Sequence, residues 1–441
     1  MAKIQEPKQK KNGSSCHEAI ETTGECFSDG TVLELVRLNP ASGQVGLLRW
    51  DGRKATIDQH FEVNGRVFRP PRLNSTLLSA LRLPEHVAQY GSTRELFTEL
   101  YKHIKYYTDI AEASVQIIAY FVLADWLLGR LSVAPLLFIT APPGTPRAQL
   151  LRLLSGLCRR PLMLAEVTAS VLSSLAGLRP TLLLDEPNLR GRVLRLLYAT
   201  NVRGRFVPIK ERVVDAFCAK VICSQEPLSD APLAGQALQI TLSPAGREVP
   251  FLEESVCERV AGEFQSKLLQ YRLTNLSKIC TPGVDVSELT PPMQDVARSL
   301  ASCVADDEEL QSGVVRLLRE LDQDAYLDPS AELASVILEG LLFCCHSKKR
   351  SQVLSGELAD IVNQIWAKRG EGRETTPESV GRKLRALGLR TKPIDGAGKG
   401  LRFTETIRLR IHTLARAYRV PSLRQMAQEG CAHCKRPLES S

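Results

Sequence analysis

Apolar residues recur along this chain in distinct rhythms. Between residues 31 and 68 they fall in short runs: Thr31–Leu38, Gln44–Trp50, Lys54–Ile57 and Arg66–Phe68. Runs of this length predict strands. Asp51-Gly52 and Asn64-Gly65 supply hairpin turns between them. Pro70-Pro71 closes this β-rich module, which serves either to bind a ligand or to cover the edge of a core. From Ser75 to Leu131 the spacing becomes i, i+3, i+4, which predicts helices at Thr93–Tyr107 and Ile110–Leu128. The most apolar stretch, Val115–Leu128, is interrupted by Asp125 and is too short to span a bilayer. It reads as a buried helix.

Strand-length and helix-length runs then alternate. Strands are predicted at Pro135–Thr140, Pro161–Val167, Thr181–Leu184, Lys220–Cys223 and Gln239–Leu242. Helices fall between them, among them Thr168–Ala176 with Thr168 as N-cap and Arg192–Tyr198. Phe206–Ile209 and Arg212–Asp215 form a hairpin insert. This alternation predicts an α/β fold, a parallel sheet with helices on both faces. Ligands of such sheets bind at the carboxyl ends of the strands. A helix over Phe251–Leu276 closes the core, and Pro292–Val304 and Glu308–Leu321 follow. Three further helices, Ala331–Phe343, Gly356–Lys368 and Pro377–Leu387, precede two short strands, Arg390–Ile394 and Leu401–Thr404, around a glycine-rich tip. That order is a winged-helix pattern. The expected organisation is a flexible basic arm (1–28), the β-rich module (29–72), a helical lead-in (73–132), the α/β core (133–277), an acidic helical linker (278–328), a winged-helix-like nucleic-acid-binding domain (329–420) and a tail (421–441).

Composition changes this picture in two places. The net charge of +8 is unevenly spread. From Lys348 onward there are 20 Lys and Arg against nine Asp and Glu, whereas residues 283–335 hold 12 acids and three bases. A basic end behind an acidic segment fits a polyanion partner. The 12 cysteines are scattered through apolar runs, which suits reduced thiols in a cytoplasmic protein better than a disulfide framework. The Lys- and Gln-rich start lacks the apolar segment of a signal peptide.

The chemistry concentrates at two turns of the core. A phosphate-binding loop reads GxxxxGK[ST]; its main-chain N–H groups cradle phosphates, its Lys reaches them, and its hydroxyl holds Mg²⁺. Here the stretch after the first strand is Ala141-Pro142-Pro143-Gly144-Thr145-Pro146-Arg147-Ala148. Ala141 and Pro146 stand at the two glycine positions, Arg147 at the Lys and Ala148 at the Ser/Thr. Proline removes a donor and fixes φ, arginine lacks the compact ammonium, and alanine cannot ligate a metal. Gly144, Thr145 and Arg147 are the residues left to meet a nucleotide. About forty residues on, Asp185-Glu186 ends an apolar strand. In an active enzyme the Asp would hold Mg²⁺ and the Glu would polarise water. ATP and Mg²⁺ are therefore the cofactors of the layout, and loss of hydrolysis is the expectation.

The run from Pro135 to Leu242 resembles the P-loop, AAA+/helicase-like ATPase domain of phage- and mobile-element-type primase–helicases and a bacterial uncharacterised-domain family related to them. Residues 157–162, 178–186, 201–204 and 220–224 carry the resemblance. It implies that Arg203 lies near the nucleotide or a neighbouring subunit of a homo-oligomer. It also implies an arginine after Leu228-Ser229-Asp230-Ala231-Pro232-Leu233, where this chain has Ala234-Gly235-Gln236-Ala237, with Gln236 as its replacement. The resemblance resumes over Leu358–Tyr418 through Trp366, Thr376-Pro377, Leu387-Gly388 and Lys399-Gly400.

If the C-terminal domain is a winged helix, Pro377–Leu387 is its reading helix and presents Arg382, Lys383 and Arg385, and the wing presents Lys392, Lys399 and Arg402. A helix in the major groove with basic side chains on flanking phosphates would bind DNA or RNA in a salt-dependent way. Cys431, His433 and Cys434 make half a zinc site. Their partners would have to come from Cys344-Cys345-His346 or Cys16-His17 through the fold, so the expectation is an incidental pair and no assigned metal. The function expected is a helicase/primase-like protein with a silent ATPase site and a nucleic-acid-binding end. An active helicase with a divergent loop, and a protein-interaction scaffold, stay open beside it.

Overall fold

The structure is a computed structural model. It describes residues 19–434 except 40–43, 186, 188, 190–191, 210–211, 227, 229–230, 244–247, 281–282, 325–328, 348–349, 395–397, 419, 421–430 and 432. The chain divides into two units, residues 1–318 and 319–441.

The first unit opens with β1 (Ile20–Glu21), β2 (Gly24–Cys26), β3 (Val32–Asn39), β4 (Gln44–Trp50), β5 (Ala55–Asp58), β6 (Phe61–Val63) and β7 (Arg66–Arg69). Strands β2-β3-β4-β5 form one antiparallel sheet, and β1-β7-β6 a second. The arm expected through residue 28 therefore has paired strands from Ile20 onward. Two residues of β1 pair with β7 across 48 positions of sequence, a contact no local pattern announces. Leu33, Leu35 and Leu47 of this module are fully buried in one core with Leu136, Phe138 and Leu182.

The lead-in holds α1 (Ser75–Ala80), α2 (Thr93–Tyr107) and α3 (Glu112–Trp126). Ser92 and Glu95 form a capping box that fixes the start of α2. Helix α3 is buried on every side from Ile117 to Trp126. Asp125 is tolerated there because its carboxylate accepts from Arg159 N and Thr181 Oγ1, each at 2.6 Å.

The core follows as β8 (Leu136–Thr140), α4 (Arg147–Leu157), β9 (Pro161–Leu164), α5 (Ala169–Leu175), β10 (Thr181–Asp185), α6 (Arg192–Ala199), the hairpin β11 (Val207–Ile209) and β12 (Arg212–Val214), β13 (Lys220–Ser224), α7 (Ala231–Ala234), β14 (Leu238–Thr241) and α8 (Glu254–Asn275). The sheet is parallel throughout, in the order β14-β8-β13-β10-β9. It is the parallel-sheet α/β core that the alternation predicts. Thr168 Oγ1 accepts from Val171 N at 3.2 Å, as an N-cap of α5 should. Strand β13 lies between β8 and β10, with Thr140 opposite Ser224 and Asp185 opposite Cys223. The ends of β8 and β10 thus stand at one level, about 10 Å apart from the spacing of two strand intervals. Helices α9 (Pro291–Ser302) and α10 (Glu308–Asp324) come next.

The second unit contains α11 (Pro329–His346), β15 (Gln352–Leu354), α12 (Ser355–Lys368), α13 (Pro377–Ala386), β16 (Lys392–Ile394), β17 (Gly398–Arg402) and α14 (Glu405–Ala417). Its three short strands pair antiparallel in the order β15-β17-β16. Thr376 caps α13, with Pro377 at its first turn. Gly388, at φ 71°, ends that helix; Leu389 N reaches Leu384 O at 2.8 Å across it, the closure that a left-handed glycine permits. Leu341, Leu358, Val362, Trp366, Val380, Leu384, Leu401 and Ile411 share one core. No helix among the described residues is long and apolar enough to cross a membrane.

Candidate nucleotide site and basic C-terminal face

The loop from Ala141 to Arg147 leaves β8 at the carboxyl end of the sheet and enters α4. Three of its main-chain donors are already engaged. Ala141 N donates to Ser224 O at 2.7 Å, Thr145 N to Pro142 O at 3.2 Å, and Arg147 N to Thr145 O at 2.9 Å. Thr145 Oγ1 also turns inward to Pro142 O at 2.8 Å. Pro142, Pro143 and Pro146 have no N–H to offer. Gly144 remains as the main-chain donor of the loop outside this scheme, and its φ of 86° explains why glycine stands there. A phosphate arriving here would meet a loop bonded to itself.

Arg147 opens α4 and turns its side chain to Asp185, with Nε 3.5 Å from Oδ1. Both side chains are about one-third exposed. The two positions that would hold a phosphate and a metal through opposite charges here hold each other. Glu186, the expected second carboxylate, lies outside the described residues.

Arg203 does not join this group. Its guanidinium donates to Leu131 O at 2.7 Å and Leu128 O at 2.8 Å and stacks on Phe217 at 4.6 Å. These partners precede β8 and β13, so Arg203 stands at the amino ends of the strands, opposite the loop. Burial, then Arg179, lower its pKa. Gln236, which stands where the resemblance implies an arginine, lies at the same edge. It is buried before β14 and accepts weakly from Asn201 Nδ2 at 3.5 Å. Asn201 in turn accepts from the fully buried Lys220, whose Nζ also meets Thr200 O and Cys218 O. The resemblance aligned these residues by sequence, but the strand direction puts them at the far edge.

That amino-terminal edge holds a charge cluster that the sequence did not disclose. Glu34 of β3 is 1% exposed and accepts from Arg159 Nε at 3.0 Å, Arg272 Nε at 2.7 Å and Arg160 Nη2. Burial alone would raise the Glu34 pKa; Arg159, Arg160 and Arg272 overcome it and hold the carboxyl at about 2. One carboxylate bonds three guanidiniums. Burial and mutual repulsion accordingly bring Arg160 down to about 9 and Arg272 to about 10, against the pull of Glu34. The signal in the sequence was Arg159-Arg160 between an apolar helix and an apolar strand, two charges at a position where burial is the norm.

No family model matches the sequence, and no match is found among curated proteins. Solved structures give loose overlaps. The apo C-terminal region of NrS-1 is 13% identical over 84% of this chain and 96% of that one, with a TM-score of 0.36. Cdc6p from Pyrobaculum aerophilum is 12% identical over 71% and 94%, with a TM-score of 0.20. A Drosophila ORC chain from a DNA-bound structure is 13% identical over 78% and 96%, with a TM-score of 0.18. Overlaps this loose carry no argument about the site, which rests on its own side chains.

In the second unit, α13 buries Val380, Leu384 and Leu387 and leaves Arg382 and Arg385 exposed on its opposite side, with Lys383 half-buried between. Lys392, Lys399 and Arg402 are exposed on the hairpin. Lys392 pairs with Gly400 and Lys399 with Pro393. Strand alternation therefore puts Lys392 and Arg402 on one face and Lys399 on the other. A cavity of about 480 Å³ opens at the start of α13, lined among others by Arg373, Thr375, Thr376, Ser379 and Arg382. Trp366 also lines it, and its buried Nε1 has no hydrogen-bond partner.

Cys431 and Cys434, half a zinc site in the sequence, have partners in the fold. His346 ends α11 and His412 lies in α14, and the four ligand atoms fall within 4.8 Å of one another. Cys345 and His433 flank this group without entering it. Cys16-His17 lies outside the described residues. His412 could not be found from the sequence because its helix, α14, was not among the predicted elements.

Proposed function

We propose that this chain is a nucleic-acid-binding protein of helicase/primase-like ancestry whose P-loop-like core is a scaffold that does not hydrolyse ATP. Binding falls to the second unit, used as a winged helix. The observation that carries the silent core is the pairing of Arg147 with Asp185 beside a loop whose donors are engaged internally. A nucleotide would have to break that pair to reach Asp185 and open the Pro142–Thr145 turn to recruit the N–H groups of Thr145 and Arg147. For the basic end, Arg382 and Arg385 project from α13 opposite its core side, and the cavity at the helix start combines the helix N-terminus with Arg373 and Arg382. Both favour phosphate.

Two measurements on the full chain test this reading. Turnover of ATP with DNA present, abolished by Glu186→Gln, would establish an active enzyme and sink the scaffold. Salt-sensitive binding to DNA or RNA, lost in the Arg382→Ala/Lys383→Ala/Arg385→Ala triple variant, is the expected outcome. Absence of salt-sensitive binding in the native chain would instead favour a protein-interaction module.

A further inference from the structure

We infer that His346, His412, Cys431 and Cys434 bind a structural zinc ion that fastens Cys431 and Cys434 to the end of α11 and the middle of α14. The distances between ligand atoms carry this. His346 Nε2 lies 3.0 Å from His412 Nε2, Cys431 Sγ 3.4 Å from His412 Nε2, and Cys434 Sγ 3.3 Å from His346 Nε2. Tetrahedral zinc with Zn–N of about 2.0 Å and Zn–S of about 2.3 Å sets its ligands about 3.3–3.8 Å apart. The two contacts between sulfur and nitrogen fall at that spacing, and the two nitrogens need only separate slightly around an ion.

The orientation of the His412 ring agrees with that assignment. His412 Nδ1 lies 2.7 Å from Arg408 O. A carbonyl only accepts, so Nδ1 carries the ring proton and Nε2 presents its lone pair to the group. This is the tautomer a metal requires, set by the second-nitrogen bond that metal-binding histidines make. Cys431 and Cys434 have the two-residue gap of a zinc knuckle, and Cys434 N donates to Cys431 O at 3.2 Å to close the turn. Two thiolates and two neutral imidazoles give four soft-to-borderline ligands and neutralise a divalent ion. This set selects zinc over magnesium or calcium. All four positions are taken by protein, so the ion is structural and has no place for a substrate. His412 is fully buried and His346 nearly so, which keeps water from competing.

His433 sharpens the assignment. Its ring packs on that of His412 with centroids 5.3 Å apart, but its Nε2 is turned away to Glu405 at 3.0 Å. The adjacent histidine in Cys431-Ala432-His433-Cys434 is thus a neighbour of the site, and the distant His346 and His412 are its ligands.

The experiment uses the full chain purified without chelator. Element analysis is expected to find one zinc per chain, and Co²⁺ exchanged into it should show thiolate-to-metal charge transfer with a tetrahedral d–d spectrum. Zinc content should fall to background in Cys431→Ser/Cys434→Ser and in His412→Gln, and stay at one in His433→Gln. Native chain stripped with a chelator should lose protection of residues 431–434 against proteolysis and regain it with Zn²⁺ but not Mg²⁺. That last measurement decides the matter should the ligand variants fold poorly. Native chain that takes up no zinc, cobalt without a thiolate band, or zinc lost on changing His433 instead of His412 would each overturn the assignment.

Discussion

Replacing Glu34 by Gln removes the carboxylate that bonds all three buried guanidiniums while keeping the shape of the side chain. Arg159, Arg160 and Arg272 are at most 5% exposed, so water cannot take over the lost role. Breaking a buried charge group in this way costs about 3–5 kcal/mol. Proton linkage gives a second route to the size. The fully buried carboxyl falls from 4.5 to about 2 on folding, which corresponds to about 3–4 kcal/mol at 1.4 kcal/mol per pKa unit. The sign follows from the depressed value: this stability is present above the unfolded pKa and is lost as pH falls through the folded one. Native chain should therefore weaken between pH 4.5 and 2, and the Gln variant should lack that slope. The assay is urea unfolding followed by tryptophan emission in a Trp366→Phe background, where Trp50 and Trp126 report the first unit alone. Adding Arg160→Gln to the variant should restore part of the loss, because contacting residues are not additive. A Glu34→Gln chain within about 1 kcal/mol of native at pH 7 would refute the reasoning, since buried charge groups of this kind do not break so cheaply.

Asp125 should behave in the opposite sense. Burial raises its pKa to about 6 despite the bonds from Thr181 and Arg159 N. Its contribution is thus full below the unfolded pKa and lost as pH rises through 6. Asp125→Asn is expected to raise stability at pH 7 by up to about 3 kcal/mol, because an amide can donate to Thr181 Oγ1 while that hydroxyl donates to Arg159 O; urea midpoints at pH 5 and 8 check it. Thermal melting of the native chain should not change with ATP and Mg²⁺, whereas Ala141→Gly/Pro146→Gly/Arg147→Lys/Ala148→Ser should melt higher when both are added, as a ligand of the folded state requires. On DNA or RNA, each phosphate that the protein no longer neutralises should lower the slope of log K against log salt by roughly 0.9 on duplex or 0.7 on single strands. Arg382→Ala/Arg385→Ala should therefore flatten it by nearly two on a duplex, measured by anisotropy across a salt series.

The elements made by local pattern were legible. Thr93–Tyr107 and Gln44–Trp50 match their expected bounds residue for residue, and all five core strands lie within three residues of their expected ends. What escaped was made by tertiary contact. Glu34 meets Arg272 across 238 positions, and nothing in an alternating strand marks one glutamate as buried. His346 meets Cys434 across 88 positions. Helix α14 begins where the glycine-tipped hairpin drew the reading toward a terminal strand, and His412 was hidden with it. The positions carried over by resemblance divide by strand polarity. Arg147 and Asp185 stand together at the carboxyl ends, but Arg203 and Gln236 precede or follow turns at the amino ends.

On the proposed reading the loop residues act as a set, and no single change toward GxxxxGK[ST] should create a nucleotide site. Pro146 has no side chain to cap α4, and the helix starts without a side-chain N-cap bond. Arg147 then supplies the charge that Asp185 faces in place of a metal. Arg147→Lys alone would keep a cation near Asp185 but leave the Pro142–Thr145 turn closed and its donors spent. Pro146→Gly alone would free a donor while the guanidinium still occupied the carboxylate. Ala148 would leave Mg²⁺ without its hydroxyl in either case. On that reading, phosphate, metal and loop would have to change state together, so a nucleotide site would require several coupled substitutions. On the same proposed reading, that coupling holds Asp185 and the strand carrying it beside a loop largely bonded within itself.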